Sequence, residues 1–205
     1  MSIKRLSTGS ISSTTPKGSK VWDQETFPGT FESIASIIIS SGSTSSFSFT
    51  NIPQNYKSLQ IRWFGKEESN GSSNWYGLLG NFNSDTSANY SNHYMGTYAV
   101  VGGGAQTNFA DNSTGLGYMN LSIISRGNGD NITFGSGIID IIDYNSTTKF
   151  KTMRSLSGFI YNPTPNRLDV MSGCWRSTNP ITSIDISLAG AGAVGSTFSL
   201  YGIRG

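Results

Sequence analysis

Between Phe31 and Phe64 the chain alternates short apolar runs with polar breaks: FESIASIII, SSGSTSS, FSFTNI, PQNYKS and LQIRWF. The pattern predicts three antiparallel β-strands joined by two turns. Ile34, Ile37, Ile38 and Ile39 are β-branched and suit a pleated, half-buried surface. Ser40 to Ser46 holds Gly42 and no apolar residue, the composition of a hairpin loop. Phe47 and Phe49 share one face opposite Ser48 and Thr50, and Pro53 ends that run because it has no N–H for a ladder. Leu59, Ile61 and Trp63 then alternate with Gln60 and Arg62. A period of two predicts a sheet with one dry face and one wet face.

The same pattern continues. Trp75–Phe82 predicts a strand after a polar loop, GKEESNGSSN. Asn83–Tyr94 is turn-rich with interleaved aromatics, and a further strand is expected from Tyr94 to Val101. Gly102–Gly104 and the following AQTNFADNSTG read as loop. Leu116–Ser125, Ile132–Tyr144, Phe150–Phe159, Leu168–Arg176, Ile181–Leu188 and Thr197–Ile203 read as strands. The long one is expected to bend at Gly135 or Gly137, and Lys151 and Arg154 to point outward. Turns are expected at Arg126–Asp130, Asn145–Thr148 and Asn162–Asn166, and a glycine-alanine hairpin at Ala189–Gly195. No window keeps the i, i+3, i+4, i+7 spacing of a helix. About ten strands predict an all-β, jelly-roll-like antiparallel β-sandwich over residues 31–205, behind an extended N-terminal arm of residues 1–30.

Composition shapes the surface. Charged residues make up 13% of the 205, against a usual ~25%, so Ser, Thr, Asn and Gly must supply the wet faces. Such a surface suits symmetric assemblies, in which copies must not repel. The net charge is +2, but residues 1–20 carry Lys4, Arg5, Lys17 and Lys20 without an acid, leaving −2 on the rest. A general nucleic-acid binder is not indicated, and the cationic arm is expected to meet an acidic neighbour. Trp22 and Phe27 would dock the arm on its own domain or on a neighbour. MSIKRLSTGS lacks the apolar core of a secretory leader, and no stretch approaches 18 apolar residues, so neither export by a leader nor a membrane span is expected.

Enzymatic chemistry is not expected. His93 is the lone histidine and sits in a polar, turn-like segment, and no G-x-S-x-G elbow surrounds a serine. Cys174 excludes an intrachain disulfide and reads as a small core residue. Glu67-Glu68 beside Lys66 reads as a solvated loop, and Asp140 as the wet face of its strand, so paired carboxylates for glycoside cleavage are not assembled. Asn81-x-Asn83-x-Asp85-x-Ser87 alternates oxygen ligands as calcium loops do, but Thr86 and Asn92 stand where the turn glycine and closing carboxylate belong, so a polar turn is the simpler reading. No metal or cofactor is expected. Trp75, Tyr76, Tyr90, Tyr94 and Tyr98 lie close together among amide and carboxylate side chains. They would form either ordinary sandwich core or a surface on which sugar rings stack.

Four stretches resemble a known family: FESIASIIISSGSTSSFSFTNIPQNYKSLQIR, GNFNSDTSANYSNHYMGT, IIDYNSTTKFKT and STNPITSIDISLAGAGAVGSTFSLYGIRG. Together they resemble the small β-rich virion structural proteins of tailed bacteriophages, often of marine and cyanobacterial hosts, with the closing LYGIRG the most recognisable part. The resemblance implies a non-catalytic virion component assembled in the host cytoplasm. The expected role is a tail or fibre-type appendage, held to another virion protein by Lys4, Arg5, Lys17, Lys20, Trp22 and Phe27. Capsid decoration (a cement or head-fibre protein) and adhesion to host glycans are the alternatives. A homo-oligomer is expected, by analogy a trimer.

Overall fold

The computed structural model describes residues 30–68, 73–99, 107–127, 133–160 and 166–204. Alternating side chains commit these residues to twelve strands: β1 (Phe31–Ile38), β2 (Ser46–Phe49), β3 (Ser58–Glu67), β4 (Trp75–Phe82), β5 (Tyr90–Ala99), β6 (Thr107–Leu116), β7 (Met119–Arg126), β8 (Gly135–Ile142), β9 (Lys151–Phe159), β10 (Asn166–Trp175), β11 (Ile184–Ser187) and β12 (Thr197–Ile203). No helix occurs among the described residues. The protein is all-β, as its periodicity predicts.

Eight strands form a wide antiparallel sheet in the order β6-β5-β10-β9-β8-β3-β12-β1. A narrower sheet runs β2-β11-β4-β7. The two join at one corner, where the end of β3 runs parallel to β7 and pairs Lys66 with Ser125 and Glu67 with Arg126. Leu59, Ile61, Ile139, Ile141 and Trp175 from the wide sheet meet Leu78, Phe82, Leu121, Ile184 and Ile186 from the narrow one in one buried cluster. Trp63 Nε1 donates to Ser122 Oγ across the gap at 3.2 Å, which satisfies a buried donor.

Several sequence expectations are corrected. The opening three strands do not pair with one another: β1 pairs with β12, β2 with β11, and β3 with β12 and β8. Residues 39–45 therefore carry the chain from the wide sheet to the narrow one. Residues 188–196, which include the hairpin expected at Ala189–Gly195, carry it back, and the two crossings are tied by Ile39 N to Ser196 O at 2.9 Å and Gly195 N to Ile39 O at 2.8 Å. Alternation defines which face a strand buries, not which strand it buries it beside.

The expected loop at Lys66-Glu67 is the end of β3, and both side chains are fully buried. Residues 191–193 cover them, with Glu68 N donating to Ala191 O at 2.7 Å and Ala193 N to Lys66 O at 2.8 Å. Glu67 is not solvated; Arg126 Nε reaches its Oε2 at 2.9 Å. Lys151 points inward and not outward: Lys151 and Arg154 are three apart and so cannot share a face of β9. Its Nζ donates to Ser146 O at 2.5 Å, Lys149 O at 3.1 Å and Ser177 O at 3.4 Å, which offsets its burial.

β5 begins at Tyr90, so His93 lies on a strand, exposed. The expected loop at residues 107–115 is, with Leu116, β6, an edge strand, and the strand expected from Leu116 begins as β7 at Met119. Cys174 is half-buried beside Thr152 and Ser91 rather than in the core, and burial pushes its thiol pKa up. Gly102–Gly104 and most of the turns expected at 126–130 and 162–166 lie outside the described residues.

Candidate functional site: an aromatic cleft

The sheets differ in width, and that difference makes the site. Among the described residues the narrow sheet has four strands against eight in the wide one, and none of its strands pairs with β5 or β6 at the wide sheet's edge. The turn between β4 and β5 lies at the end of both strands away from the cleft, beside Tyr90 and Trp175. Asn83 and Ser84 both adopt the left-handed conformation, with φ 54 each, and Asp85 N donates to Phe82 O at 3.0 Å. Two successive positive φ angles make a tight reversal, which here carries the chain from the narrow sheet to the wide one.

Asn81 Nδ2 donates to Asp85 O at 2.7 Å and to Gly117 O at 2.6 Å. Asn83 Oδ1 accepts from Thr182 N at 2.8 Å and Ser183 N at 3.1 Å. The oxygen-rich run is thus used in structural hydrogen bonds, as a polar turn. Among the described residues no cluster of His, Cys, Asp and Glu could hold a metal ion.

Tyr90, Tyr94 and Tyr98 share the inner face of β5 but meet different surroundings. Tyr90 is fully buried, stacked on Trp175 at 6.3 Å and 15°, and its OH donates to Asp85 O at 3.0 Å. Burial pushes its phenol pKa up to about 12. It is core, not a glycan contact. Tyr76 is also apart, with the Arg126 guanidinium 4.9 Å over its ring.

Trp75, Tyr94 and Tyr98 do come together, around a cleft of about 510 Å³ also lined by Phe109, Asp111 and Arg167. A register shift between Leu78 and Leu79 lets Trp75 and Phe82, seven apart on β4, both face inward. Trp75 and Tyr94 pack on Ile123, Phe159 and Met171, a satellite core beneath the cleft. Gly96 makes the floor: a Cβ there would lie 2.6 Å from Phe109 Cζ and 2.6 Å from Asp169 Oδ1. Without one, the Phe109 ring lies between Tyr94 and Tyr98, at 5.8 Å and 6.2 Å.

Arg167 closes the base. Its guanidinium sits 3.7 Å from the centre of the Trp75 ring and 4.7 Å from that of Phe109. Nε donates to Asp169 Oδ2 at 2.7 Å, and Nη2 to Oδ1 at 2.9 Å, with both side chains at most 3% exposed. Burial raises the Asp169 carboxyl pKa, and the guanidinium opposes that shift. Tyr94 OH donates to the exposed Asp111 Oδ2 at 3.3 Å; burial first, and that carboxylate second, raise the Tyr94 phenol pKa.

An aromatic wall with a few convergent polar groups is the usual make-up of a small-ligand site. Phe109, Asp111 and Arg167 were not among the expected contacts. The lone phenylalanine in a polar run was the available signal for the first. The six arm residues, Lys4, Arg5, Lys17, Lys20, Trp22 and Phe27, lie outside the described residues. Fold and site together define an all-β protein of two unequal sheets with an aromatic cleft at the open edge. No protein family, curated protein or solved structure matches the chain.

Proposed function

We propose that the protein is a non-enzymatic structural component of a bacteriophage virion, a tail or fibre-type appendage, held by its N-terminal arm. The arrangement that carries this reading is the opposition of the two ends of the wide sheet. Thr30, where residues 1–29 join the body, precedes Phe31, whose row across the sheet runs Ile203, Ser58, Ile142 and Thr152. The cleft row, with Arg167, Tyr98 and Phe159, lies at the other end of the same strands. About seven residues at ~3.4 Å separate the rows, roughly 24 Å. An arm at one end and a ligand-sized cleft at the other suit a protein anchored at its base and displayed at its tip.

The resemblance of residues 31–205 to virion structural proteins and the scarcity of charge support the same reading. The nested pairing of β1 with β12 and β2 with β11 is compatible with a jelly-roll-like fold. Capsid decoration uses the same polarity and differs only in where the arm docks. Deleting residues 1–22 is the test. The expected outcome is a folded domain that no longer enters particles; normal incorporation of the truncated protein refutes anchoring by the arm.

A second reading, host-glycan binding, is favoured by the cleft itself. The half-buried rings of the cleft offer apolar surface to the apolar face of a sugar, while Asp111 and the Tyr94 hydroxyl meet its hydroxyls. A glycan array with purified protein tests it. Binding abolished by Trp75→Ala supports the reading, and no binding at millimolar sugar sinks it.

A further inference from the structure

The outer face of the wide sheet is divided. Toward the Thr30 end it is polar, with Gln60, Asp140, Arg154, Ser172 and His93 forming one row. The next row toward the cleft end is Met95, Val170, Leu156 and Ile138, on four adjacent strands, each 42–54% exposed. The row beyond runs Leu168, Gly158, Ser136 and Phe64, large at both ends and small in the middle. A ridge therefore lies directly beside a trough, and the trough opens into a cavity of about 1000 Å³ walled by Ile160 and Phe134. Ile160 is 74% exposed, and the Phe134 ring stacks on Phe64 at 5.0 Å.

We propose that this ridge-and-trough band is a self-association face, occupied by the same band of a second copy of this chain. Three observations select that occupant. First, Met95, Val170, Leu156, Ile138, Leu168, Phe64 and Ile160 are each 42–74% exposed, a contiguous apolar band of the size that on a monomer marks an interaction site. Second, among the described residues the band's outward side chains carry no charge that would repel its like. At its border the Arg62 guanidinium turns away, over the Phe31 and Tyr201 rings at 5.0 Å and 5.2 Å, and Asp140 is neutralised by Arg154 at 3.0 Å. Third, the shape is self-complementary. A two-fold axis through the border between the rows sets each ridge in the other copy's trough, so that residue i meets j and j meets i. That symmetry replaces the threefold expected by analogy. The inference refines the homo-oligomer part of the proposed function, and arm anchoring is independent of it.

Sedimentation of the purified full chain at micromolar concentration tests the proposal. The wild type is expected at twice the chain mass. Leu156→Glu is expected at the monomer mass with an unchanged far-ultraviolet circular dichroism spectrum. Val170→Lys provides a second, equally exposed position should Leu156→Glu misfold, and it too is expected at the monomer mass. A monomeric wild type overturns the proposal, as does a threefold mass or a folded variant that keeps the dimer mass. Failure here leaves incorporation through residues 1–22 to be judged on particles, so the two readings fail separately.

Discussion

Asp85 gives the sharpest test of how the end of the sandwich opposite the cleft is built. Its carboxylate accepts from Asn89 Nδ2 at 3.0 Å, Trp175 Nε1 at 2.7 Å and Ser87 N at 2.9 Å. All three partners are donors. The bonds from Asn89, Trp175 and Ser87 hold the carboxyl pKa down, from 3.8 to about 2, against the opposing effect of burial. A depression of that size corresponds to roughly 2.5 kcal/mol, and screening at a partly exposed site brings it to about 1–2 kcal/mol. The sign follows from a lowered folded-state pKa. The stabilisation is fully present above the unfolded value near 4, and it is lost as pH falls from about 4 toward 2.

Asp85→Asn puts an amide NH₂ against at least one of those donors, so its cost at neutral pH is about 1–2 kcal/mol. Asp85→Ala strands the buried Trp175 N–H as well, and about 3 kcal/mol is expected. Urea melts followed by tryptophan fluorescence, repeated between about pH 5 and pH 2, measure both. The gap between wild type and Asp85→Asn should close toward the acid limit. A gap that stays constant across that range refutes the charge-assisted reading of the turn.

Lys151→Ala leaves the Ser146, Lys149 and Ser177 carbonyls without their shared donor, and should cost about 2–3 kcal/mol in a denaturant titration. Lys151→Met fills the space without the donor and should recover only the packing part. Gly96→Ala places a methyl 2.6 Å from both Phe109 and Asp169, and 2.8 Å from the Leu168 carbonyl. It should cost about 1–3 kcal/mol and change the near-ultraviolet circular dichroism of the cleft aromatics while leaving the far-ultraviolet spectrum intact.

Strands that bury one full face were legible in the sequence. β4 spans Trp75–Phe82 as its pattern predicts, and Ile184, Ile186 and Leu188 bury together, as do Phe198, Leu200 and Gly202. β6 was not legible, because an edge strand with solvent beside it needs few apolar residues, and Phe109 and Leu116 are the large ones it has. Buried Lys66, Glu67 and Lys151 were illegible for another reason. Periodicity assigns a charge to water, whereas here Arg126 and turn carbonyls, distant in sequence, take the place of water. The cleft was half legible. Alternation groups Tyr90, Tyr94 and Tyr98, and it separates Tyr76 from Trp75. It carries no record of what faces each position along β5: Tyr90 meets Phe82 and Trp175, whereas Tyr94 and Tyr98 line the cleft.

The wide sheet's edge explains why a charged pair lies under the cleft. A sandwich of unequal sheets leaves a gap at its rim, and an apolar plug would fill it at lower desolvation cost than Arg167 with Asp169. A buried pair of this kind is often matched or bettered by apolar residues of similar size, while removal of one partner leaves an uncompensated charge. Arg167→Met alone should therefore cost about 3–5 kcal/mol, because Asp169 is 1% exposed and would keep no cation. Arg167→Met with Asp169→Leu should return to within about 1 kcal/mol of the wild type, or exceed it. If the double variant is as stable as the wild type yet loses the glycan binding that Trp75→Ala also abolishes, the pair serves the ligand rather than the fold. If the double variant is as unstable as the single one, the guanidinium between Trp75 and Phe109 is a packing element, and the stacking at 3.7 Å and 4.7 Å is what the rim requires.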